Sequence, residues 1–379
     1  MKSIFFIGCF SFLILVSCAI GTDTKTTKPN NGSEILCASK IELKYAKKFS
    51  IFESEQGYII DAFGDDSNEL ISRYYLVRDE STITPNDGEK ILIPISRLAS
   101  NTSTVFEFVK LLDCLPAIKV TCAPEYIYSP EIIHLIEEGT IRSMGTSYNL
   151  NREIVLSAAP DLLLLSDFSD APKGISLPTL YSFEWKEENL LARAEWIKLW
   201  GALFDKFSQA DSLFKDMENK YLKLKVLVDN EIRVKPTLFA GGSYSGTWYL
   251  TGGKGFMAGV YADAGANFLM ADTSIATVSC GLEWMLSEFS QADFWLNCGD
   301  LSMEKWDNRL LHLKSVQNGN VYHFQKRSKS VNGVGISDFY ESAVAHPDVI
   351  LADVISILHP QLLPDYERVY ADKCEGEIR

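Results

Sequence analysis

The longest hydrophobic pattern in the chain runs from Lys186 to Asn230 and contains no proline. Its apolar residues recur every three or four positions, so one face of a helix would be apolar along its whole length. At about 1.5 Å per residue, one continuous helix here would span roughly 65 Å, more than a single compact domain of this size needs. The pattern therefore predicts one straight or once-kinked connecting helix. The alternatives are a coiled coil and two shorter helices that break at Gly201. The periodic residues are Leu190, Ala194, Ile197, Trp200, Phe204, Phe207, Ala210, Phe214, Met217, Tyr221 and Leu224.

Strand and helix patterns alternate on both sides of this stretch, which predicts two α/β lobes with mostly parallel sheets. The first lobe is expected at 90–185, the connecting helix at 186–230 and the second lobe at 231–379. In the first lobe we predict strands at 90–95, 118–122, 161–166 and 179–181 and helices at 102–111, 129–138 and 152–157. In the second lobe we predict strands at 237–240, 294–296 and 321–324 and helices at 255–264, 283–290 and 347–358.

A region rich in predicted β-strands precedes the first lobe. Apolar and polar residues alternate at 58–63 and 72–77, and the turn-like sequence Pro85-Asn86-Asp87-Gly88 follows. Alternation with a period of two is typical of half-buried strands. We therefore assign residues 35–89 to an N-terminal β-rich addition.

The composition limits the classes of function. The chain has 379 residues, enough for two domains with hydrophobic cores. Hydrophobic residues make up 46% and charged residues 23%, as in ordinary folded proteins. The net charge of -14 and the pI near 4.9 argue against binding to nucleic acid, because phosphates would be repelled.

The N-terminus has the features of an export signal. Lys2 precedes an apolar run at 4–16, and Leu15-Val16-Ser17-Cys18 follows. This arrangement resembles the lipobox of bacterial lipoproteins, which implies removal of residues 1–17 and lipidation of Cys18. The run is too short to span a bilayer. We expect residues 18–34 to form a flexible tether and the protein to be lipid-anchored to a bacterial membrane, facing the periplasm or the cell exterior. The alternative is a plain secreted protein with a coincidental cysteine.

Six cysteines remain after this processing, and their even number permits disulfides in an exported protein. The near pairs are Cys114 with Cys122 and Cys280 with Cys298, while Cys37 and Cys374 have no close neighbour in sequence. The spacing of a zinc site is absent from the sequence, so we interpret these cysteines as structural residues or buried thiols.

Two glutamates occupy similar positions in the two predicted lobes. Glu153 begins a short helix that ends before Pro160-Asp161, and Glu283 begins another that ends before Ala292-Asp293. Each lies in a first helical turn, where the helix dipole favours a carboxylate. Helix chemistry alone would explain both positions.

The order of these signals over residues 90–363 resembles that of the substrate-binding proteins of bacterial ABC importers. The resemblance is to the group with a helical backbone between its lobes, which carries vitamin B12, ferric siderophores and haem. It implies a ligand cleft between the lobes, no catalysis, no cofactor and a monomer. It also implies that Glu153 and Glu283 dock onto arginines of the permease, which works with an ATPase subunit. The matching segments are Ile93-Pro94-Ile95-Ser96-Arg97-Leu98, Gly145, Asn151-Arg152-Glu153-Ile154, Ala264-Gly265-Ala266-Asn267, Glu283 and 349–360.

Ligand specificity is then expected from the loops that follow the strands, and these loops are rich in aromatic residues. Aromatic walls suit a large flat or greasy ligand, although each ring is as well explained by a place in the core. The glycines of 241–248 are interpreted as backbone room for a ligand, because the sequence does not fit a phosphate-binding loop. Basic residues that would meet an acidic ligand are Arg97, Arg142, Lys254 and Arg327. The candidate aromatic residues are Tyr126, Tyr128, Tyr148, Trp185, Tyr244, Trp248 and Tyr249.

We expect the ligand to be a ferric siderophore or haem, and vitamin B12 is the alternative within the same family. A binding protein for a bare metal ion would need convergent histidines, but the five histidines are scattered. An exported α/β enzyme is the rival from another class, and neither a Gly-x-Ser-x-Gly nor a His-Glu-x-x-His motif is present in the sequence.

Overall fold

The computed structural model describes residues 38–64, 69–146, 149–167, 174–299, 307–331 and 333–374. The predicted signal, the tether and the lipidation site Cys18 lie outside these residues, as do Cys37 and Tyr148. In the described part of the chain, no helix is both long and apolar enough to cross a membrane.

The chain begins with a five-stranded sheet in the order β1-β2-β3-β4-β5. Its strands are antiparallel neighbours except for β4 and β5, which are parallel. The strands predicted at 58–63 and 72–77 are confirmed as β3 and β4. The strand predicted at 90–95 is β5, but it pairs with β4 and therefore belongs to this sheet and not to the first lobe. The strands are β1 (Ser39–Ile41), β2 (Phe49–Ser54), β3 (Gly57–Phe63), β4 (Leu70–Val77) and β5 (Glu89–Leu92).

The first lobe has a parallel sheet in the order β12-β11-β6-β7-β8. The strand order reverses between β6 and β11, and β9 pairs with β10 in a small antiparallel ribbon. The apolar runs that predicted these strands are largely buried, and Leu162–Leu165 is buried at every position. The elements are β6 (Leu98–Ser100), α1 (Phe106–Leu111), β7 (Ile118–Thr121), α2 (Pro130–Glu137), β8 (Arg142–Ser143), β9 (Gly145–Thr146), β10 (Asn149–Leu150), α3 (Arg152–Ala158), β11 (Leu162–Leu165) and β12 (Thr179–Tyr181).

The connecting region contains a long helix, but this helix is shorter than the predicted one. A 3-10 turn at Glu184–Lys186 precedes α4 (Leu190–Glu195), α5 (Ile197–Leu203) and the 25-residue α6 (Phe207–Glu231). The main break lies beside Asp205, which has a φ of 52°, and not at Gly201. A Cβ on Gly201 would lie 2.4 Å from the Cβ of Ala210, so α5 packs tightly against α6.

Helix α6 contributes to the cores of both lobes. Phe214 and Met217 pack with the first lobe and the N-terminal sheet, whereas Tyr221 and Val228 pack with the second lobe. Its apolar face is therefore divided along its length between two hydrophobic clusters, which explains why the apolar pattern is so long.

The second lobe has a parallel core of strands in the order β15-β13-β17-β18, with β21 antiparallel to β18. The far half of β13 turns away and forms an antiparallel extension with β14 and β16. The elements are β13 (Thr237–Tyr244), β14 (Thr247–Leu250), α7 (Phe256–Asp263), β15 (Asn267–Phe268), β16 (Val278–Cys280), α8 (Leu282–Phe289), β17 (Phe294–Leu296), α9 (Lys314–Gln317), β18 (Val321–His323), β19 (Ser328–Val331), β20 (Val334–Ser337), α10 (Pro347–Leu358) and β21 (Asp372–Lys373).

The glycine-rich segment 241–248 is a hairpin and not the loop that we predicted. Gly241 has a φ of 135°, and a Cβ there would lie 2.2 Å from the carbonyl oxygen of Tyr249 on the paired strand. A Cβ on Gly242 would lie 2.6 Å from the carbonyl oxygen of Cys298. A Cβ at Gly241 or Gly242 would therefore meet the protein's own backbone, so the hairpin requires glycine at these two positions.

Buried carboxylates attach the N-terminal sheet to the connecting helices. Glu195 on α4 is 0% exposed and accepts hydrogen bonds from the backbone N–H groups of Lys44, Tyr45 and Ala46 at 3.1, 2.8 and 3.0 Å. Glu187 accepts hydrogen bonds from the backbone N–H groups of Lys47 and Lys48 and from the indole N–H of Trp196. The link between β1 and β2 is thus held by the connecting region.

The two near pairs of cysteines, for which the sequence permits disulfides, do not form them. Cys114 is a free thiol whose Sγ donates to the carbonyl oxygen of Leu112 at 3.2 Å, and Cys280 is also a free thiol.

Candidate functional site

The topology of both sheets points to one region between the lobes. In a parallel sheet, ligands bind beyond the carboxyl ends of the strands, at the point where the strand order reverses. In the first lobe this point lies between β6 and β11, where Asn101 Oδ1 accepts a 2.9 Å hydrogen bond from the N–H of Ser166. In the second lobe it lies between β13 and β17, beside Gly242 and Asn297.

A cavity of about 680 Å³ lies at the reversal point of the second lobe. Three exposed tyrosines line it, and Tyr244 and Tyr340 are 75% and 66% exposed. Its described lining residues carry hydroxyl and amide groups but no charge, and Gln325 is fixed by a 2.9 Å hydrogen bond to the carbonyl oxygen of Gly299. The lining residues are Gly242, Ser243, Tyr244, Ser245, Tyr249, Thr251, Thr277, Asn297, Gly299, Gln325 and Tyr340.

A smaller cavity of about 210 Å³ lies where the lobes and the connecting region meet, and it shares Tyr340 with the larger one. Its walls are mainly aromatic and aliphatic, including Trp185 and Phe256. The Arg193 guanidinium lies 3.7 Å from the centre of the Phe256 ring and donates to the carbonyl oxygen of Trp185 at 2.5 Å. Burial lowers the pKa of Arg193 to about 10. Glu184 accepts from the Thr104 hydroxyl at 2.6 Å.

The residues that follow β7 contact the second lobe. Tyr126 is exposed, and the half-buried ring of Tyr128 lies 5.8 Å from the Arg327 guanidinium and 6.0 Å from the Lys329 ammonium. The backbone N–H of Tyr128 donates to Glu341 at 2.8 Å, and burial raises the pKa of that carboxyl. The end of β7 is thereby joined to the segment between β20 and α10.

Three of the predicted aromatic residues, Trp185, Tyr244 and Tyr249, are exposed and line these cavities, but Trp248 does not. Trp248 is 3% exposed, and its ring centre lies 5.5 Å from that of Trp295 in the core of the second lobe. Its neighbour Tyr249 points to the other face of the strand and lines the large cavity. We therefore correct the assignment of Trp248 to the ligand wall.

The predicted basic residues are not gathered at one place. Arg97 precedes β6, at the amino end of the sheet, and pairs with Asp161 at 3.1 Å, far from the reversal point along the strand. Arg142 begins the edge strand β8 and is exposed, as is Lys254 before α7. Arg327 lies near the cleft, where it pairs with the buried Asp338 at 2.8 Å.

Sequence reasoning missed Tyr340, Gln325, Asn297 and Arg193. Tyr340 lies in the 3-10 helix Asp338–Tyr340, which follows a hairpin that the pattern did not predict. Arg193 looked like a charged position on a helix surface. Asn297 and Gln325 had a local signal, because each directly follows a predicted strand.

Glu153 and Glu283 both lie in the first turns of their helices, α3 and α8, and both are exposed. Exposed apolar side chains accompany them: Leu156 follows Glu153 on α3, and Trp284 follows Glu283 on α8. Glu283 accepts a 2.7 Å hydrogen bond from Arg309. For Glu153, the described residues provide no cation at ion-pair distance.

Groups of three or more His, Cys, Asp or Glu side chains that would hold a metal ion do not occur among the described residues. The larger cavity is built of aromatic, hydroxyl and amide groups, which are suited to binding a molecule of substantial size.

Comparison with known proteins identifies the family. The profile described as "Periplasmic binding protein" matches residues 103–327, more than half of the chain. The chain belongs to the periplasmic binding protein family. An uncharacterized lipoprotein of Methanocaldococcus jannaschii is 21% identical and is aligned over 95% of this chain and 94% of its own length.

Solved structures of periplasmic binding proteins share the fold of this one. A periplasmic heme-binding protein from Pseudomonas aeruginosa has a TM-score of 0.54 at 14% identity, and the match covers 75% of this chain and 100% of that protein. The periplasmic vitamin B12-binding protein BtuF of Vibrio cholerae has a TM-score of 0.53 at 13% identity over 70% of this chain and 97% of its own. The family match begins after β6, so the sheet β1–β5 lies outside it.

Proposed function

We propose that this periplasmic binding protein is the substrate-binding lipoprotein of an ABC importer. It captures a bulky iron complex, a ferric siderophore or haem, between its lobes and delivers it unchanged to the membrane permease. The observation that carries this proposal is the 680 Å³ cavity with exposed tyrosines at the strand-order reversal of the second lobe. Aromatic faces bind large planar or apolar surfaces, and a cavity of this size suits a drug-sized or larger ligand.

The cleft offers both charged and uncharged groups to a ligand, and each kind of group fits a different candidate. Arg327 and Lys329 beside Tyr128 would meet acidic groups such as haem propionates or siderophore carboxylates. The lining of the 680 Å³ cavity offers only hydroxyl and amide partners among its described residues. A corrinoid carries amide groups around its ring, so this uncharged wall favours vitamin B12 as the second candidate.

The test is a titration of the purified protein with haem, a panel of ferric siderophores and cyanocobalamin. Tryptophan fluorescence and ligand absorbance report binding, because the exposed ring of Trp185 lines the smaller cavity. Saturation by an iron complex is the expected result. Saturation by cyanocobalamin alone would select the corrinoid, and binding of none of these ligands would refute the proposed cargo.

We further propose that Cys18 carries the lipid anchor, as its lipobox-like sequence and the alignment with a lipoprotein over nearly the whole chain suggest. Mass spectrometry of the N-terminal peptide should detect acylated Cys18 as the first residue. The Cys18→Ser protein should be recovered in the soluble fraction. Membrane retention of this variant would contradict the anchor.

Docking to the permease is proposed for Glu153 and Glu283. Two separated carboxylates on one body meet cationic partners in register, which fixes orientation more than it adds affinity. Reversal of both charges, Glu153→Lys with Glu283→Lys, should leave ligand affinity unchanged and abolish uptake. Loss of ligand binding, or retained uptake, would remove the docking role.

A further inference from the structure

We infer that Arg309 weakens docking to the permease by competing with the permease cation for Glu283. The inference rests on the proposed docking role of Glu283. It adds a residue pair, Asp307 with Arg309, that sets the strength of the contact at the second lobe.

Arg309 is held at Glu283 by a second carboxylate. Its Nε and Nη2 donate to the two carboxylate oxygens of Asp307 at 2.9 and 2.7 Å, and its backbone N–H donates to the same side chain at 2.9 Å. The remaining nitrogen, Nη1, donates to Glu283 at 2.7 Å. A guanidinium that is bound on both edges of its fork has a fixed orientation. Arg309 therefore occupies the position from which a permease arginine would approach Glu283.

The surroundings of this triad leave space for a second cation. A cavity of about 480 Å³ adjoins Glu283, and Asp307 and Arg309 also line it. Leu282 and Leu310 contribute apolar surface to its wall. Two carboxylates face one guanidinium, so the described charged residues of the cavity carry a net charge of -1. An arginine side chain fits this combination, because its stem contacts apolar surface while its head pairs with a carboxylate.

The two glutamates proposed to dock differ in whether they already have an ion-pair partner. Glu153 is exposed and has no ion-pair partner among the described residues, whereas Glu283 is already paired although it is 80% exposed. The backbone N–H of Glu283 and the Arg309 guanidinium lower the pKa of the Glu283 carboxyl. An exposed ion pair is weak, so a permease cation can displace Arg309 at small cost. Glu153 then supplies a full contact and Glu283 a reduced one, which favours release after delivery.

The experiment measures binding of the full-length protein to the permease–ATPase complex in lipid nanodiscs. Arg309→Gln should tighten docking about two- to fivefold, the range expected for loss of an exposed competing pair. Asp307→Asn should weaken docking, because it removes one of the two carboxylates that attract the permease cation and raises the net charge of the described residues of the cavity from -1 to 0. Arg78→Gln is the matched control, since Arg78 is 37% exposed, pairs with Asp205 at 2.8 Å and directly follows β4 of the N-terminal sheet. It should leave docking unchanged.

The outcomes separate this inference from the docking proposal. Tighter docking of Arg309→Gln together with weaker docking of Asp307→Asn supports the competition. Unchanged or weaker docking of Arg309→Gln overturns it, because Arg309 would then be neutral or would orient Glu283 productively. If the double reversal at Glu153 and Glu283 leaves docking intact, the docking proposal fails and the competition fails with it.

Discussion

Removal of the Glu195 carboxylate should be among the most destabilising single changes in this protein. Glu195 is fully buried and is the common acceptor for three backbone N–H groups at 44–46 and for the Lys198 ammonium at 3.0 Å. Glu195→Ala leaves these donors without their partner. Lys198, which is itself buried, would keep Asp211 at 3.3 Å as its one carboxylate partner among the described residues.

The size of the effect follows from these contacts. Hydrogen bonds to a charged acceptor contribute about 1.5–3 kcal/mol each, and breaking a buried ion pair costs about 3–5 kcal/mol. Neighbouring contributions are not additive, so we expect the free energy of unfolding to fall by about 3–5 kcal/mol in total. This is a large part of the roughly 5–15 kcal/mol that stabilises a typical protein.

Urea unfolding, followed by far-UV circular dichroism, measures this loss as a lower midpoint. The matched control is Glu188→Ala. Glu188 lies on the same segment and pairs with Lys47 at 3.4 Å, but both side chains are more than half exposed. The control should cost no more than about 0.5 kcal/mol. If Glu195→Ala and Glu188→Ala have equal midpoints, the carboxylate does not hold the N-terminal sheet and the reasoning is wrong.

Three further predictions concern the second lobe. Gly242→Ala should lower the free energy of unfolding by about 1–3 kcal/mol through its backbone clash, whereas Gly259→Ala, whose Cβ meets nothing within 4 Å in α7, should raise it by up to about 1 kcal/mol. Equal urea midpoints for Gly242→Ala and Gly259→Ala would refute this prediction. The second prediction concerns Asp293. Burial raises the pKa of its carboxyl, but hydrogen bonds from the Lys314 and Thr237 side chains outweigh burial and lower that pKa to about 2. Its stabilisation is therefore present above its ordinary pKa of 3.8 and is lost as the pH falls toward 2, so Asp293→Asn should unfold with a shallower pH dependence between pH 5 and 2. A slope equal to that of the natural protein would contradict the assignment. Tyr340→Ala should weaken ligand binding about three- to tenfold in the fluorescence titration, whereas Trp284→Ala, an exposed aromatic outside the cavity, should not. Equal affinities of the two variants would remove Tyr340 from the ligand wall.

Local patterns predicted most of the elements of both lobes. The strands at 179–181 and 294–296 and the helix at 347–358 have the predicted bounds, because each is an apolar run between clear turn signals. The break beside Asp205 could not be predicted from the sequence, because the apolar pattern continues across it. Phe204 and Phe207 on either side of it are both core residues, so the apolar period continues while the backbone turns.

The candidate site was less predictable than the fold. The sequence does not distinguish an aromatic residue that faces the core from one that faces the cleft. Trp248 and its neighbour Tyr249 show this, because Trp248 is buried in the core whereas Tyr249 lines the large cavity. Buried carboxylates such as Glu195 resemble the charged positions of an exposed helix face, because their partners lie about 150 residues away in the chain. Such contacts arise only when distant segments pack together.

The course of α6 through both cores bears on how the protein works. Its first half packs with the first lobe and its second half with the second, so a large rotation of one lobe against the other would pull α6 out of one core. Burial of side chains such as Phe214 and Tyr221 opposes that motion, since each contributes about 1.5–3 kcal/mol. We therefore expect ligand binding to rearrange the loops around Tyr340 more than the lobes themselves. A fixed relation between the lobes also keeps α3 and α8, and with them Glu153 and Glu283, in the constant register that docking at two points requires.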